Sequence, residues 1–328
     1  MTSRLGEAIA PVYRAGVTKA FSAHDGRAIA ALGIGAVGGV LWLASIFRPA
    51  LMPFWLPWDF SPLWYTAFAA TLFFYWRGCR IVRPRGWRVA LFAAGMLAIW
   101  IVIQTRYEYL ALHMFFYNRL QHMVMHHLGP FLIALAWPWP TILAGMPPGL
   151  QRLFRHRWTR GLIGWCRRPL VAAALFVALL LLWLIPAVHL FAMLSPLLYP
   201  VMNWSMVIDG LLFWSLVVDL RAPAEAGVSF VARMLTAIGV MFPQIAIGAY
   251  LCLTNRDLYG FYDWCGRLYA WGDPLADQRI GGIVVWESPG MMTVAAFILL
   301  LNALRSSEEA APSPSGLGMI SSAAWTGR

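Results

Sequence analysis

Eight apolar runs recur along this chain, at about 28–46, 60–77, 88–104, 118–140, 169–190, 199–219, 229–253 and 282–304. Each is close to the ~20 residues that a helix needs to cross the hydrocarbon of a bilayer. The pattern predicts an all-α, polytopic transmembrane helix bundle of about seven to eight spans. The segment 52–63, MPFWLPWDFSPL, has too many prolines to span and reads as an interfacial loop with its tryptophans at headgroup level. Glycines 33, 35, 38 and 39 in the first run suit close helix packing. No repeat at a fixed period is visible.

The polar positions between the runs give the orientation. One loop holds Arg77, Arg80, Arg83, Arg85 and Arg88, and another holds Arg152, Arg155, Arg157, Arg160, Arg167 and Arg168. They alternate with arginine-poor loops at 47–59, 105–117, 191–198 and 254–281. Basic loops stay in the cytoplasm, so both termini are expected there too. Residues 1–27 contain no signal-peptide core and read as a cytoplasmic amphipathic segment. Residues 28–305 then form one transmembrane domain, and 306–328 a small, polar, disordered cytoplasmic tail.

Composition agrees with this. Hydrophobic residues make up 60% of the 328 and charged residues only 12%, about half the charge of a soluble domain. The net charge of +11 sits in the arginine loops. It fits anchoring to anionic membrane lipid, and nucleic acid is not an expected partner.

Seven histidines are present, and four fall in HMFFYNRLQHMVMHHLGPF, residues 113–131. His122, His126 and His127 lie in the first turns of the fourth run, and His189 lies at the same end of the fifth. That end is the outer one. His24 and His156 fall on the cytoplasmic side as ordinary surface residues. On an α-helix His122 and His126 share a face at ~6 Å, the spacing at which two imidazoles hold one metal. His127 points about 140° away from His122, on a face with Met123. Met114, Met125, Met193, Met202 and Met206 lie at a similar level. Imidazole plus thioether selects copper, Cu(I) above all. Polar groups in hydrocarbon are costly and usually functional, although a lone membrane histidine often only hydrogen-bonds a neighbouring helix.

Other polar residues fall in the same membrane half or near its middle. Asn203 lies about a turn into the sixth run. Asp209 lies two turns deeper, and needs a partner or a proton and a place in the bundle interior. Glu287 begins the eighth run, followed by Pro289 and Gly290, which are expected to break or kink that helix. Pro243 and Gln244 are expected to do the same in the seventh. Cys79 and Cys166 fall on the cytoplasmic side without CxxC spacing. Cys252 and Cys265 fall on the outer side, where a disulfide is permitted but free thiols or copper donors are equally open.

LQHMVMHHLGPFLIALAWP resembles the histidine-bearing helix of CtaG-type cytochrome c oxidase assembly factors, with His122, Met123, His126 and Pro138 in the pattern positions. MNWSMVIDGLLFW, 202–214, is similar to that family's pattern ending in G-L-L-F-W. The late segment 258–286 is similar to its D-Q-x-x-G-G-x-x-x-W loop through Asp277, Gln278, Gly281, Gly282 and Trp286. The resemblance covers about 105–305. The family commonly has a histidine where this chain has Asn203, and His127 goes beyond its usual pattern.

The resemblance implies a non-enzymatic membrane protein that helps deliver copper to the catalytic subunit of a haem–copper oxidase. It implies residence in the bacterial inner membrane, a periplasmic copper donor, and a metal site facing outward. The expected metal residues are His122, Met123, His126, His127 and His189, supported by Asn203, Asp209, Asp277, Gln278 and Glu287. Three other readings use the same residues: haem ligation by paired histidines, copper or proton transport with Asp209 and Glu287 as relay groups, and a structural subunit whose histidines only hydrogen-bond. No nucleophile motif, nucleotide loop or paired-carboxylate constellation points to an enzyme.

Overall fold

The computed structural model describes residues 30–264, 266–269 and 273–309. Among these, all regular structure is helical. Five helices are long and apolar enough to cross a membrane, and up to seven spans result if each of two sharply bent helix pairs is one span. The protein is therefore a multi-pass helix bundle, as its hydropathy pattern predicts. The second run, 60–77, forms a helix of sufficient length, α2, Pro62–Val82, but its tryptophans, tyrosines and Arg77 dilute its apolar character. The amphipathic segment 1–27 and residues 310–328 of the tail lie outside the described residues. Residues 306–309 of that tail are helical.

The described chain forms two compact units, one within 1–71 plus 104–106, the other 72–103 plus 107 onward. In the first, α1 (Ala30–Phe47) contacts the start of α2 through Tyr65, whose hydroxyl donates to the Ile34 carbonyl at 2.8 Å. Only Gly38 of the four glycines meets a neighbour, because a Cβ there would lie 2.6 Å from the Tyr65 ring. Arg106 donates to the Pro49 and Ala50 carbonyls at 3.0 Å each, closing the turn after α1.

The second unit contains α3 (Gly86–Gln104) and α4 (Tyr107–His113). The fourth run then becomes several pieces: α5 (Phe115–Met123), a π turn at Val124–Leu128, α6 (Gly129–Ala136) and α7 (Trp139–Gly145). Trp137 ends α6 with a left-handed φ of 53°, and the chain bends by 74° before α7. Short amphipathic helices α8 (Pro148–Arg155) and α9 (Arg157–Cys166) follow. His156 accepts the Trp158 amide between them, a capping role. α9 meets α10 (Pro169–Leu184) at 73°. The α10 sequence is almost pure Ala, Leu and Val with proline at its first turn, a position that loses no hydrogen bond. Pro186 then stops it and opens α11 (Pro186–Leu194). α12 (Leu198–Val217), the single turn α13 (Pro223–Ala226), α14 (Phe230–Leu253) and α15 (Pro274–Glu309) complete the unit.

Neither Pro243 nor Pro289 interrupts its helix, contrary to expectation. α14 and α15 run through them. A proline forfeits one backbone bond, and neighbouring helices and side chains can compensate inside a bundle. The carbonyls freed are those of Gly239 and Val285; the side chains next to the prolines bond the adjacent ones, Gln244 donating to the Val240 carbonyl at 3.0 Å and Ser288 to the Val284 carbonyl. α15 also starts eight residues before the apolar run, absorbing the Asp-Gln-Gly-Gly segment that reads as a loop.

That segment pins two ends together. Asp277 accepts the amides of Phe115 and Phe116 at 2.9 and 2.8 Å, capping α5 from across the chain, and is paired with Arg267 at 2.7 Å. Gln278 accepts the Leu258 amide at 2.8 Å and donates to the Leu251 and Arg256 carbonyls at 3.3 and 3.1 Å. Gly281 sits on the Phe115 ring, where a Cβ would approach to 2.4 Å. At the other end of α12, buried Asp219 is held by Arg221 at 2.7 Å and Arg167 at 3.5 Å, while Arg233 donates to its carbonyl.

Replacing Asp277 with Ala should lower stability by about 3 kcal/mol, because it strands two amides and removes the buried one of the two carboxylates that pair with Arg267. Thermal unfolding in detergent measures it. Asp219 has a second signature. Burial raises its pKa, but the Arg221 hydrogen bonds and charge, with Arg233, outweigh burial and hold it below its ordinary value. Its contribution is therefore complete above the ordinary carboxylate pKa of about 3.9 and is lost as pH falls through the lower folded value. Asp219→Asn should unfold at lower temperature than the native protein at pH 7, and the gap should close as the pH is taken below 4.

Candidate metal centre

Pro130 sets the local geometry of the histidine segment. The carbonyl of His126 would bond the amide of residue 130 in an α-helix, and proline has none. The chain widens here into a π turn, in which the Gly129 amide reaches back to the Val124 carbonyl. Such turns are rare and concentrate at functional sites. The His126 carbonyl instead accepts the Trp214 indole N–H at 3.2 Å. Gly210, one turn earlier on α12, lets the helices meet, since a Cβ there would lie 2.5 Å from the same oxygen. Asp209 takes the side chain, with its carboxylate 3.0 Å from His126 Nε2. Three neighbouring residues of α12 thus grip one histidine.

His122, Met123, His126 and His127 all line one cavity, together with Arg119, Leu180, Gln244, Val284, Val285 and Ser288. The cavity is small, about 20 Å³ of space open to the centre of a water-sized sphere. The two donor pairs expected on adjacent faces of the helix, His122/His126 and Met123/His127, thus line the same cavity. The two rings of His126 and His127 are 5.2 Å apart and nearly perpendicular. Phe176 stacks on His126 at 3.8 Å and fixes its plane.

The nitrogens differ in what they have left to offer. Neither ring nitrogen of His122 has a hydrogen-bond partner, although the residue is 2% exposed. His126 has Nε2 on Asp209 and an unpartnered Nδ1. Nδ1 of His127 is likewise unpartnered. Asp209 as acceptor places the proton of His126 on Nε2 and leaves the Nδ1 lone pair open. This is the carboxylate–histidine arrangement that orients metal ligands. Buried polar atoms without partners are rare and mark an absent ion, water or ligand.

The remaining predicted residues lie elsewhere. His189 is buried beside this cluster, but its Nε2 is 3.0 Å from the Tyr262 hydroxyl and its ring is framed by Phe115, Tyr259 and Phe261. His113 sits at the end of α4, with Nδ1 2.7 Å from the Tyr109 carbonyl. Asn203 is buried beside Tyr199. Asp277 and Gln278 hold helix ends together. Glu287 is exposed on the outer face of α15, not in the interior. It follows Val285 and precedes Ser288, which do face inward, and helical periodicity turns it away from them. Met114, Met125, Met202 and Met206 are fully buried in apolar packing, and the Met193 sulfur accepts from Asn118 at 3.7 Å. Of the thioethers, Met123 alone lines the cavity. Cys79, Cys166 and Cys252 are free thiols, with Cys252 donating to the Arg279 carbonyl at 3.3 Å. Cys265 lies outside the described residues.

Among the described residues, no three His, Cys, Asp or Glu side chains converge as a ready metal site.

A family model for the cytochrome c oxidase caa3 assembly factor matches residues 73–307. The chain belongs to that family. No curated protein and no solved structure matches it. The match takes in the π turn, the α12 grip and the Asp277 cap, so the geometry above lies within the family region. Sequence reasoning gave no role to Arg119 or Pro130, and met Gly210 and Trp214 only as the ends of the G-L-L-F-W stretch. Arg119 carries a visible signal, because it is the sole Lys or Arg between 107 and 151 and falls inside an apolar run.

Replacing Trp214 with Phe keeps the ring volume close to native but strands the His126 carbonyl. The expected loss is about 1–3 kcal/mol of stability. Gly210→Ala should cost a similar amount by forcing α12 off the π turn. Denaturant unfolding of the detergent-solubilised variants tests both, and native stability in either would contradict the role given to α12.

Proposed function

We propose that this oxidase assembly factor carries Cu(I) as cargo in the histidine cavity and passes it to the catalytic subunit of a haem–copper oxidase. The observation that supports this is His122, a buried imidazole with both nitrogens unpartnered, on a cavity shared with the open Nδ1 atoms of His126 and His127 and with Met123. Soft donors in low number suit Cu(I), which tolerates low coordination and exchanges ligands readily. Asp209 balances charge and keeps His126 oriented as the ion enters and leaves. The role is non-catalytic, as assembly implies.

The topology reading completes the proposal. With the arginine loops in the cytoplasm of a bacterial inner membrane, the histidine end of the bundle is the one nearer a periplasmic copper donor. Haem fits poorly, since about 20 Å³ leaves no room for a macrocycle. A relay through Asp209 and Glu287 is disfavoured by the outward position of Glu287.

An anaerobic Cu(I) titration of the purified protein beside His122→Ala tests it. His122 has no hydrogen bonds to lose, so the variant should stay folded, as a matching circular dichroism spectrum would show. The native protein should bind about one Cu(I) per chain, and the variant should bind at least tenfold more weakly. Cells carrying the variant should contain copper-deficient oxidase. Equal affinity in the two proteins would refute the assignment.

A further inference from the structure

The histidine cavity carries a buried positive charge that no acid balances. Arg119 is 1% exposed and lines the cavity one turn before His122. Among the described residues, none of the ion pairs includes it. One Nη donates to the neighbouring Asn118 side chain, and the guanidinium lies 5.1 Å from the Phe115 ring centre. Nε and the other Nη have no hydrogen-bond partner. The nearby Tyr259 and Tyr262 are neutral, and the Tyr259 hydroxyl already donates to the Leu184 carbonyl.

A guanidinium keeps its proton in any protein environment, so this site cannot relieve its charge by titrating. A charge buried without a counter-charge is strongly unfavourable, most of all within a membrane. Beside it stands His122, whose ring also offers an N–H with nothing to accept it. Donors from two residues therefore face one small space that contains no protein carboxylate. Gln244 and Ser288, which also line it, direct their hydrogens to carbonyls of their own helices. A site with several N–H donors, a net positive charge and no carboxylate on its walls has the chemistry of an anion receptor.

Size narrows the ligand. One water needs about 10–15 Å³ of such space, and the cavity has about 20 Å³. That admits one ion of halide dimensions and excludes phosphate or sulfate. We propose that the cavity binds a single halide-sized monovalent anion, chloride under cellular conditions, between the Arg119 guanidinium and the His122 imidazole. The anion neutralises Arg119 in the metal-free protein. One consequence does rest on the copper reading: with the anion in place, a cation approaching His126 and His127 no longer meets an unscreened guanidinium.

The test uses full-length, copper-free protein in detergent. Binding of radiolabelled chloride is measured with gluconate, too large for the cavity, holding ionic strength constant. One saturable chloride per chain is expected, displaced by bromide and not by gluconate. Arg119→Gln should lose that binding. Crystals grown in sodium bromide should show an anomalous peak beside Arg119. No saturable halide binding to the native protein would overturn the proposal, as a site filled by water alone would give that result. So would unchanged binding in Arg119→Gln. If that variant does not fold, the bromide position decides, and a peak away from Arg119 overturns the assignment. Because copper is absent throughout, this outcome is separate from that of the Cu(I) titration.

Discussion

The bundle turns on one peptide oxygen, the carbonyl of His126. Inside hydrocarbon an unpaired carbonyl costs several kcal/mol, because no water can reach it. Pro130 removes its helical partner, and the Trp214 indole supplies another from α12. That bond forms only because Gly210 allows the two helices to touch, and Asp209 on the same stretch takes the imidazole of the same residue. A backbone defect is thereby converted into a fixed crossing of two spans. The site lies on that crossing: His126, whose carbonyl and imidazole α12 holds, lines one cavity with His122 and His127.

The two ends of the unit are secured differently from its middle. Asp277 reaches across the fold to cap α5 while paired with Arg267, so the first turn of the histidine helix is anchored by the start of α15. At the far end of α12, Asp219 gathers Arg167, Arg221 and Arg233. Both carboxylates are buried with cationic partners, the only economical way to place a charge there. Between them lies Arg119, equally buried and without an acid. The contrast makes that residue informative, because the same fold shows what a satisfied charge looks like.

Function and packing share residues here. Gly210 and Trp214 of the G-L-L-F-W stretch, and Asp277 and Gln278 of the late segment, look like site residues from their pattern alone. They support the site without lining it. Asp209 is the exception, since it touches a histidine of the cavity directly. A small, enclosed cavity with open imidazole nitrogens and little else polar is suited to holding one small species and releasing it, in keeping with an assembly role.

The sequence by itself determined the solvent, the helical class and the placement of most spans, because a bilayer demands long apolar runs and leaves few alternatives. It also brought the histidines into view, and the need of Asp209 for a partner, since polar groups at that depth are too costly to be casual. It did not determine what closes the cavity over the histidines. Leu180, Gln244 and Val285 come from other helices, and the carbonyl that Pro130 frees is met by a tryptophan 84 positions away along the chain. Likewise, Pro243 and Pro289 look like helix breakers locally, yet α14 and α15 pack closely enough to carry the helices through. Glu287 and Asp209 are equally acidic and equally placed in apolar runs, but only contact with another helix decides which faces inward. Periodicity is a local property and was legible; partners distant in the chain were not, and in this protein they set the geometry of the site.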